Sequence, residues 1–284
     1  MRAATNISTI IIDLPLAPSD MSRSVPGFDE FNFSAEGFSH RVLRKGDCRQ
    51  PGVLIIQELP GITRETLDLA ERLQADGFTV YLPVLFGEPG SAWEPVKNFV
   101  RICVSAEFRL LVQRERGPVS DYLRALCRHM QQECGGRAVG AIGLCFTGGF
   151  VLTLMIDESV AAPVMSEPAH LEGLLDYVQT PTAGVPDADF QAARARSERD
   201  NIPVLGIRFT HDVMCPKARF DYLSDQLGER FRRIEIDSSL FNKHRVKPWS
   251  HAVLTTDFVD RPDHPTRKAY EDMVTFLHER LGGA

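Results

Sequence analysis

Ala138-Val139-Gly140-Ala141-Ile142-Gly143-Leu144-Cys145-Phe146-Thr147-Gly148-Gly149-Phe150 is the stretch on which the reading of this chain turns. Val139 to Leu144 is a short continuous apolar run of the kind that forms a buried strand. Residues 147–157 then suit a helix packed close behind that strand, with small residues at 147–149 allowing the approach. Cys145 falls on the turn between the two. A reactive side chain on a sharp strand-to-helix turn forms a nucleophile elbow, commonly written Gly-x-Ser-x-Gly. Here one extra residue precedes the next glycine. Gly143 lets the strained turn form without a Cβ clash, and a helix N-terminus aimed at the sulfur is expected to favour the thiolate. A buried structural cysteine is the competing reading, since free Cys is among the most buried residue types.

Outward from the elbow, apolar runs alternate with helical patterns. Strands are expected at 52–57, 78–82, 138–144, 160–165, 202–209 and 231–236. Helices are expected over 63–76, 119–134, 188–199, 217–227 and 266–281. In the first of these, Leu67, Ala70 and Leu73 share one face and Gly77 terminates the helix. Strands alternating with helices predict an α/β domain with a mostly parallel sheet covered on both faces. That domain is read over 38–284. Residues 1–37 are read as an extension, with a strand or arm near Ile7–Leu14 followed by irregular chain. Residues 86–116, rich in Gly, Pro and charge after a strand's carboxyl end, suit a cap over a site.

Composition narrows the function classes. The 284 residues are 43% hydrophobic and 25% charged, as in ordinary soluble globular proteins. A net charge of −6 argues against nucleic acid as the main partner, because phosphate binding needs a concentrated basic face. No run approaches the ~18 apolar residues of a membrane span, and Asp13 ends Ile10-Ile11-Ile12 before a signal peptide could form. Cys48, Cys103, Cys127, Cys134, Cys145 and Cys215 show no CxxC, so reduced thiols and a cytoplasmic location are expected.

In an open α/β sheet, reactive groups gather at the carboxyl ends of strands. Glu58 ends the first central strand, Asp212 follows strand 202–209, and His251 follows the strand near 231–236. Nucleophile, acid, histidine is a known order for a catalytic triad. His251 would take the thiol proton and later return one, while Asp212 would set its tautomer and stabilise the imidazolium. The backbone N–H groups of Phe146 and Leu59 would form the oxyanion hole. His211, Asp212, Cys215 and His264 match no familiar zinc spacing, and neither metal nor cofactor is expected.

Residues 52–281 resemble the dienelactone hydrolase family, α/β hydrolases that use Cys where most relatives use Ser. The likeness rests on Gln57-Glu58-Leu59-Pro60-Gly61, Gly77-Phe78-Thr79-Val80-Tyr81-Leu82-Pro83, the Gly143–Gly149 elbow, the Asp212 turn ending at Pro216, and Ser250-His251. It implies a Cys145–Asp212–His251 triad acting on a small ester or lactone through an acyl-thioester. It also implies that Glu58 lies near Cys145 and helps govern the thiol; a carboxylate there would raise the thiol's pKa. The founding members hold a substrate carboxylate with two arginines. After His251 this chain has Ala252-Val253-Leu254-Thr255-Thr256 and no arginine; Arg101 and Arg109 in the cap region are the candidates for the other. Lys243-His244-Arg245-Val246-Lys247 is either an anion-binding stretch or a solvated loop. Acyl transfer, hydrolysis of other electrophiles such as phosphotriesters, and a non-catalytic ligand-binding or redox-sensing role for Cys145 are the alternatives.

Overall fold

A computed structural model describes residues 24–59, 61–90, 118–169 and 182–282. Its strands are β1 (Asp29–Ala35), β2 (Phe38–Lys45), β3 (Gly52–Ile56), β4 (Thr79–Pro83), β5 (Val139–Leu144), β6 (Val160–Ser166), β7 (Val204–Phe209) and β8 (Phe231–Ile236). Among the described residues the helices are α1 (Arg64–Ala75), α2 (Pro118–Glu133), α3 (Phe150–Leu154), α4 (Asp187–Asp200), α5 (Lys217–Leu227) and α6 (Pro265–Leu281).

All eight strands join one sheet in the order β1-β2-β4-β3-β5-β6-β7-β8. The β1–β2 and β2–β4 pairs are antiparallel, and every pairing from β4 to β8 is parallel. Alternation along β3 shows how the sheet is buried on both sides. Val53 and Ile55 pack with Leu67, Leu73, Met273 and Leu277 of α1 and α6, while Leu54 and Ile56 pack with Leu123, Leu126 and Met130 of α2. The expected face of α1 is the buried one. Its first turn is capped at Thr63, whose side chain accepts from the Thr66 N–H at 3.3 Å.

Two expectations are corrected. β1 lies inside the residues read as an irregular extension. It pairs with β2 through a turn at Glu36-Gly37, so the sheet starts earlier than residue 38. Its inward Phe31 and Phe33 alternate with polar residues too weakly apolar to mark a strand without the partner they pack against. The helix expected over 147–157 is a 3-10 turn at Cys145–Thr147 followed by the five residues of α3. Gly148-Gly149 is a poor helical beginning. The arm near Ile7–Leu14, most of the cap segment, Cys103, Arg101 and Arg109 lie outside the described residues. No helix among the described residues is long and apolar enough to cross a membrane.

The chain runs outward from β3 to β4 and then returns past β3 to β5. The carboxyl ends of β3 and β5 therefore flank a topological switch point, where open α/β sheets leave a crevice. Glu58 follows β3 there, and Cys145 follows β5.

Candidate active site

The elbow is built by close approach. Cys145 has φ 53°, a left-handed conformation that a non-glycine residue adopts only when its surroundings impose it. A Cβ at Gly143 would stand 2.3 Å from the Thr147 carbonyl oxygen, and one at Gly148 would stand 2.7 Å from the Pro168 Cα. The Thr147 hydroxyl accepts the Leu144 N–H at 3.0 Å and lies 3.0 Å from the Ile56 carbonyl and 2.8 Å from that of Leu144. It ties the elbow to the end of β3. The Cys145 carbonyl accepts N–H bonds from Gly148 at 2.9 Å and Ala169 at 3.0 Å.

Asp212 and His251 meet across the ends of β7 and β8. The Asp212 Oδ2 is 2.6 Å from the His251 Nδ1, and its Oδ1 accepts the N–H groups of Met214 at 2.9 Å and Cys215 at 3.2 Å. With Oδ1 committed to the backbone, Oδ2 is aimed at the imidazole. The loop behind it is held by the buried Arg208, which donates to the carbonyls of Cys215 and Thr210 and to Glu235. His251 Nε2 is buried, and the Cys145 thiol interacts with the same imidazole.

Glu58 reaches the histidine loop. Its Oε1 accepts the Thr255 hydroxyl at 2.6 Å, so the carboxyl expected beside the thiol also bonds a threonine on the arginine-free stretch. Asp257 completes the loop by accepting the backbone N–H groups of His251 at 2.9 Å and Ala252 at 3.2 Å, and the Ser250 hydroxyl at 3.0 Å. Gln57 stays structural: it donates to the Phe86 carbonyl at 2.8 Å and accepts the Leu85 N–H at 3.0 Å. This places Phe86 6.1 Å from the Phe146 ring, which lies 6.3 Å from that of Phe150. The wall next to Cys145 is aromatic. Leu59 and Phe146, the expected oxyanion donors, are half-buried residues at the two strand ends flanking the switch point.

The electrostatics differ from the expectation drawn from a helix N-terminus aimed at the sulfur. Cys145 is half-buried, and its thiol is pushed up, not down. Burial is the largest cause; His251 opposes it, and Glu58 and Glu167 add smaller upward pushes. A single 3-10 turn and a five-residue helix do not overcome that desolvation. Burial opposes a charge on His251 too, but the bonds to Asp212 and Cys145 outweigh it and raise the imidazole. The two ionisations are coupled, because the sulfur can raise His251 only after losing its own proton. Burial also raises Glu58, against the pull of Thr255 and His251.

Other candidates separate. His211 Nδ1 is 3.0 Å from the Thr210 hydroxyl and His264 Nδ1 is 2.8 Å from that of Thr266, while Cys215 is buried with its thiol raised by desolvation. No metal-holding group of three His, Cys, Asp or Glu residues occurs among the described residues. Lys243, Arg245 and Lys247 are exposed on a loop laced by Asn242, which bonds the backbone of Ser239, His244 and Val246. Sequence reasoning missed Thr147, Arg208, Thr255 and Asp257, whose hydrogen-bond partners no periodicity or motif announces. It also missed Glu167, although a carboxyl at the carboxyl end of a strand was a usable signal.

A family model for the dienelactone hydrolase family matches residues 38–238. No curated protein matches. Among solved structures, the chain is similar to a dienelactone hydrolase from Anabaena variabilis at 14% identity and TM-score 0.58, covering 90% of this chain and 99% of that one. A dienelactone hydrolase-like promiscuous phosphotriesterase from metagenomic libraries matches at 14% identity and TM-score 0.59, covering 90% and 98%. The thioesterase domain of the curacin biosynthetic pathway matches at 11% identity and TM-score 0.52, covering 87% and 99%. These likenesses show an α/β-hydrolase fold. With more than half of its length matched by the family model and its hydrolase-fold sheet carrying Cys145 after β5, Asp212 after β7 and His251 after β8, the chain belongs to the dienelactone hydrolase family.

Proposed function

We propose that the protein hydrolyses a small ester or lactone with Cys145 as nucleophile. The 2.6 Å bond between Asp212 and His251, with the Cys145 thiol interacting with the same imidazole, carries this reading. Nε2 takes the Cys145 proton as Sγ attacks the carbonyl carbon, and Asp212 stabilises the imidazolium that forms. The tetrahedral oxyanion is held by the backbone N–H groups of Phe146 and Leu59. Collapse expels the alcohol, which takes its proton from His251, and leaves an acyl-thioester. His251 then draws a proton from water, whose oxygen attacks the thioester and restores the thiol.

The environment of the elbow favours an uncharged acyl group. Phe86, Phe146 and Phe150 supply apolar surface, and the stretch after His251 offers the Thr255 hydroxyl to Glu58 and no cation. Glu58 acts less on the thiol than on the loop that carries the base. A screen of uncharged lactones and activated esters, with intact-mass measurement after acid quenching, tests the proposal. The expected result is turnover with a transient acyl adduct on Cys145, and Cys145→Ala lowers kcat by about 10⁴-fold or more. Turnover retained by that variant would sink the assignment. A phosphoryl adduct on Cys145 from a phosphotriester would extend the chemistry to that class.

A further inference from the structure

Glu167 stands at the carboxyl end of β6, fully buried, and takes no part in the steps above. Its φ of 35° lies in the left-handed region, where glycine would sit without strain. The turn touches both halves of the reacting pair. Oε2 accepts the Val253 N–H at 3.2 Å, two residues after His251, and the Ser166 hydroxyl at 2.6 Å. Two residues beyond Glu167, the Ala169 N–H donates to the Cys145 carbonyl, and the Glu167 N–H is anchored on the Ile207 carbonyl of β7 at 2.8 Å. Oε1 is buried and has no hydrogen-bond partner.

A carboxylate with an unsatisfied buried oxygen is unfavourable, and a neutral acid is much less so. Since Oε2 already accepts two bonds, the acid proton belongs on Oε1. The ionisable groups facing Glu167 are His251, which favours its charge, and Glu58, which opposes it; the Cys145 and Cys215 thiols both feel that charge. Burial dominates and pushes Glu167 up to about 8.

We infer that Glu167 is a positioning residue of the Cys145–His251 site, fixing the histidine loop through the Val253 N–H and, as a neutral acid, keeping a further negative charge away from the oxyanion at the elbow. The inference rests on the reading of Cys145 as nucleophile. Once ionised, Glu167 sets a negative charge against both the thiolate and the oxyanion, so turnover declines as pH rises through that ionisation.

The test compares wild type, Glu167→Gln and Glu167→Ala over pH 6 to about 10, flanking the expected ionisation. Two rates are followed: turnover of an activated ester, and alkylation of Cys145 by iodoacetamide, located by peptide mass. Glu167→Ala should lower kcat by about 10- to 100-fold with KM within about twofold, as expected when a base is misplaced. Glu167→Gln, which keeps the acceptor and cannot ionise, should recover kcat to within about threefold and remove the alkaline decline. The same inflection near pH 8 should appear in wild-type Cys145 alkylation and vanish in Glu167→Gln. Wild-type kcat in the alanine variant, or an unchanged alkaline profile in the glutamine variant, would overturn the inference. Alkylation that follows this pattern without ester turnover in the wild type would count against the proposed hydrolysis and leave the assignment of Glu167 standing.

Discussion

Cys145 is held in a backbone conformation that ordinary residues avoid, within a setting that keeps its thiol protonated. As the proposed nucleophile it would depend on a base at the moment of attack, because burial disfavours the thiolate. In the proposed reaction His251 must have the right tautomer, which the bond between Nδ1 and Asp212 would set. Asp212→Asn retains the two backbone bonds at Oδ1 in shape but can present an N–H to Nδ1, reversing the tautomer. We expect kcat to fall by about 10²- to 10⁴-fold with KM nearly unchanged, read from steady-state kinetics. A variant equal to wild type would show that the imidazole is oriented by something other than this carboxylate. Glu58 illustrates how a residue can be located while one of its partners is not. Its place at the end of β3 was legible from Gln57-Glu58 after an apolar run. Its bond to Thr255, 197 residues away, was not.

At the scale of elements, the elbow works because β5 and the turn after it are pressed together. Gly143 and Gly140 offer a controlled comparison. A methyl at Gly143 meets backbone, the Thr147 carbonyl oxygen at 2.3 Å, and can be relieved only by shifting the turn that carries Cys145. A methyl at Gly140 meets the ends of the Leu277 and Leu281 side chains at 2.9 and 3.4 Å, together with Val53 at 3.4 Å, and these can repack. Both Gly143→Ala and Gly140→Ala should lower stability by about 1–3 kcal/mol, but only Gly143→Ala should also lower kcat of the folded enzyme. Denaturant melts paired with single-turnover rates separate the two effects. The loop from Ser250 to Asp257 is the second working element, and it has no regular structure of its own. Carboxyls from the ends of β3 and β6 and from Asp257 within it hold its backbone and hydroxyl groups. No periodicity announces such a loop, because its order comes from partners on other strands.

For the whole molecule, gathering buried carboxyls at one end of a parallel sheet has a thermodynamic signature. A group whose folded pKa is raised contributes stability that is complete below its unfolded value and is lost as pH rises through the folded value. Glu167, raised from 4.5 to about 8, therefore makes the protein less stable between those two pH values as pH increases, with Glu58 acting in the same direction. Thermal melts should show Glu167→Gln gaining on wild type as pH rises from 5 to 8, by roughly 1–3 kcal/mol at the upper end. A constant difference across that range would mean that Glu167 ionises normally in the folded chain. By itself, the sequence determined the alternation of strands and helices, the elbow glycines and the order of Cys145, Asp212 and His251, because burial periodicity, turn stereochemistry and chain order are local or linear properties. The β1 hairpin, the bond between Glu58 and Thr255, the burial that dominates the shift of Cys145 and the presence of Glu167 beside it were decided only by the tertiary structure. Hydrogen-bond partners and desolvation depend on which strand ends become neighbours, and that is settled when the sheet assembles.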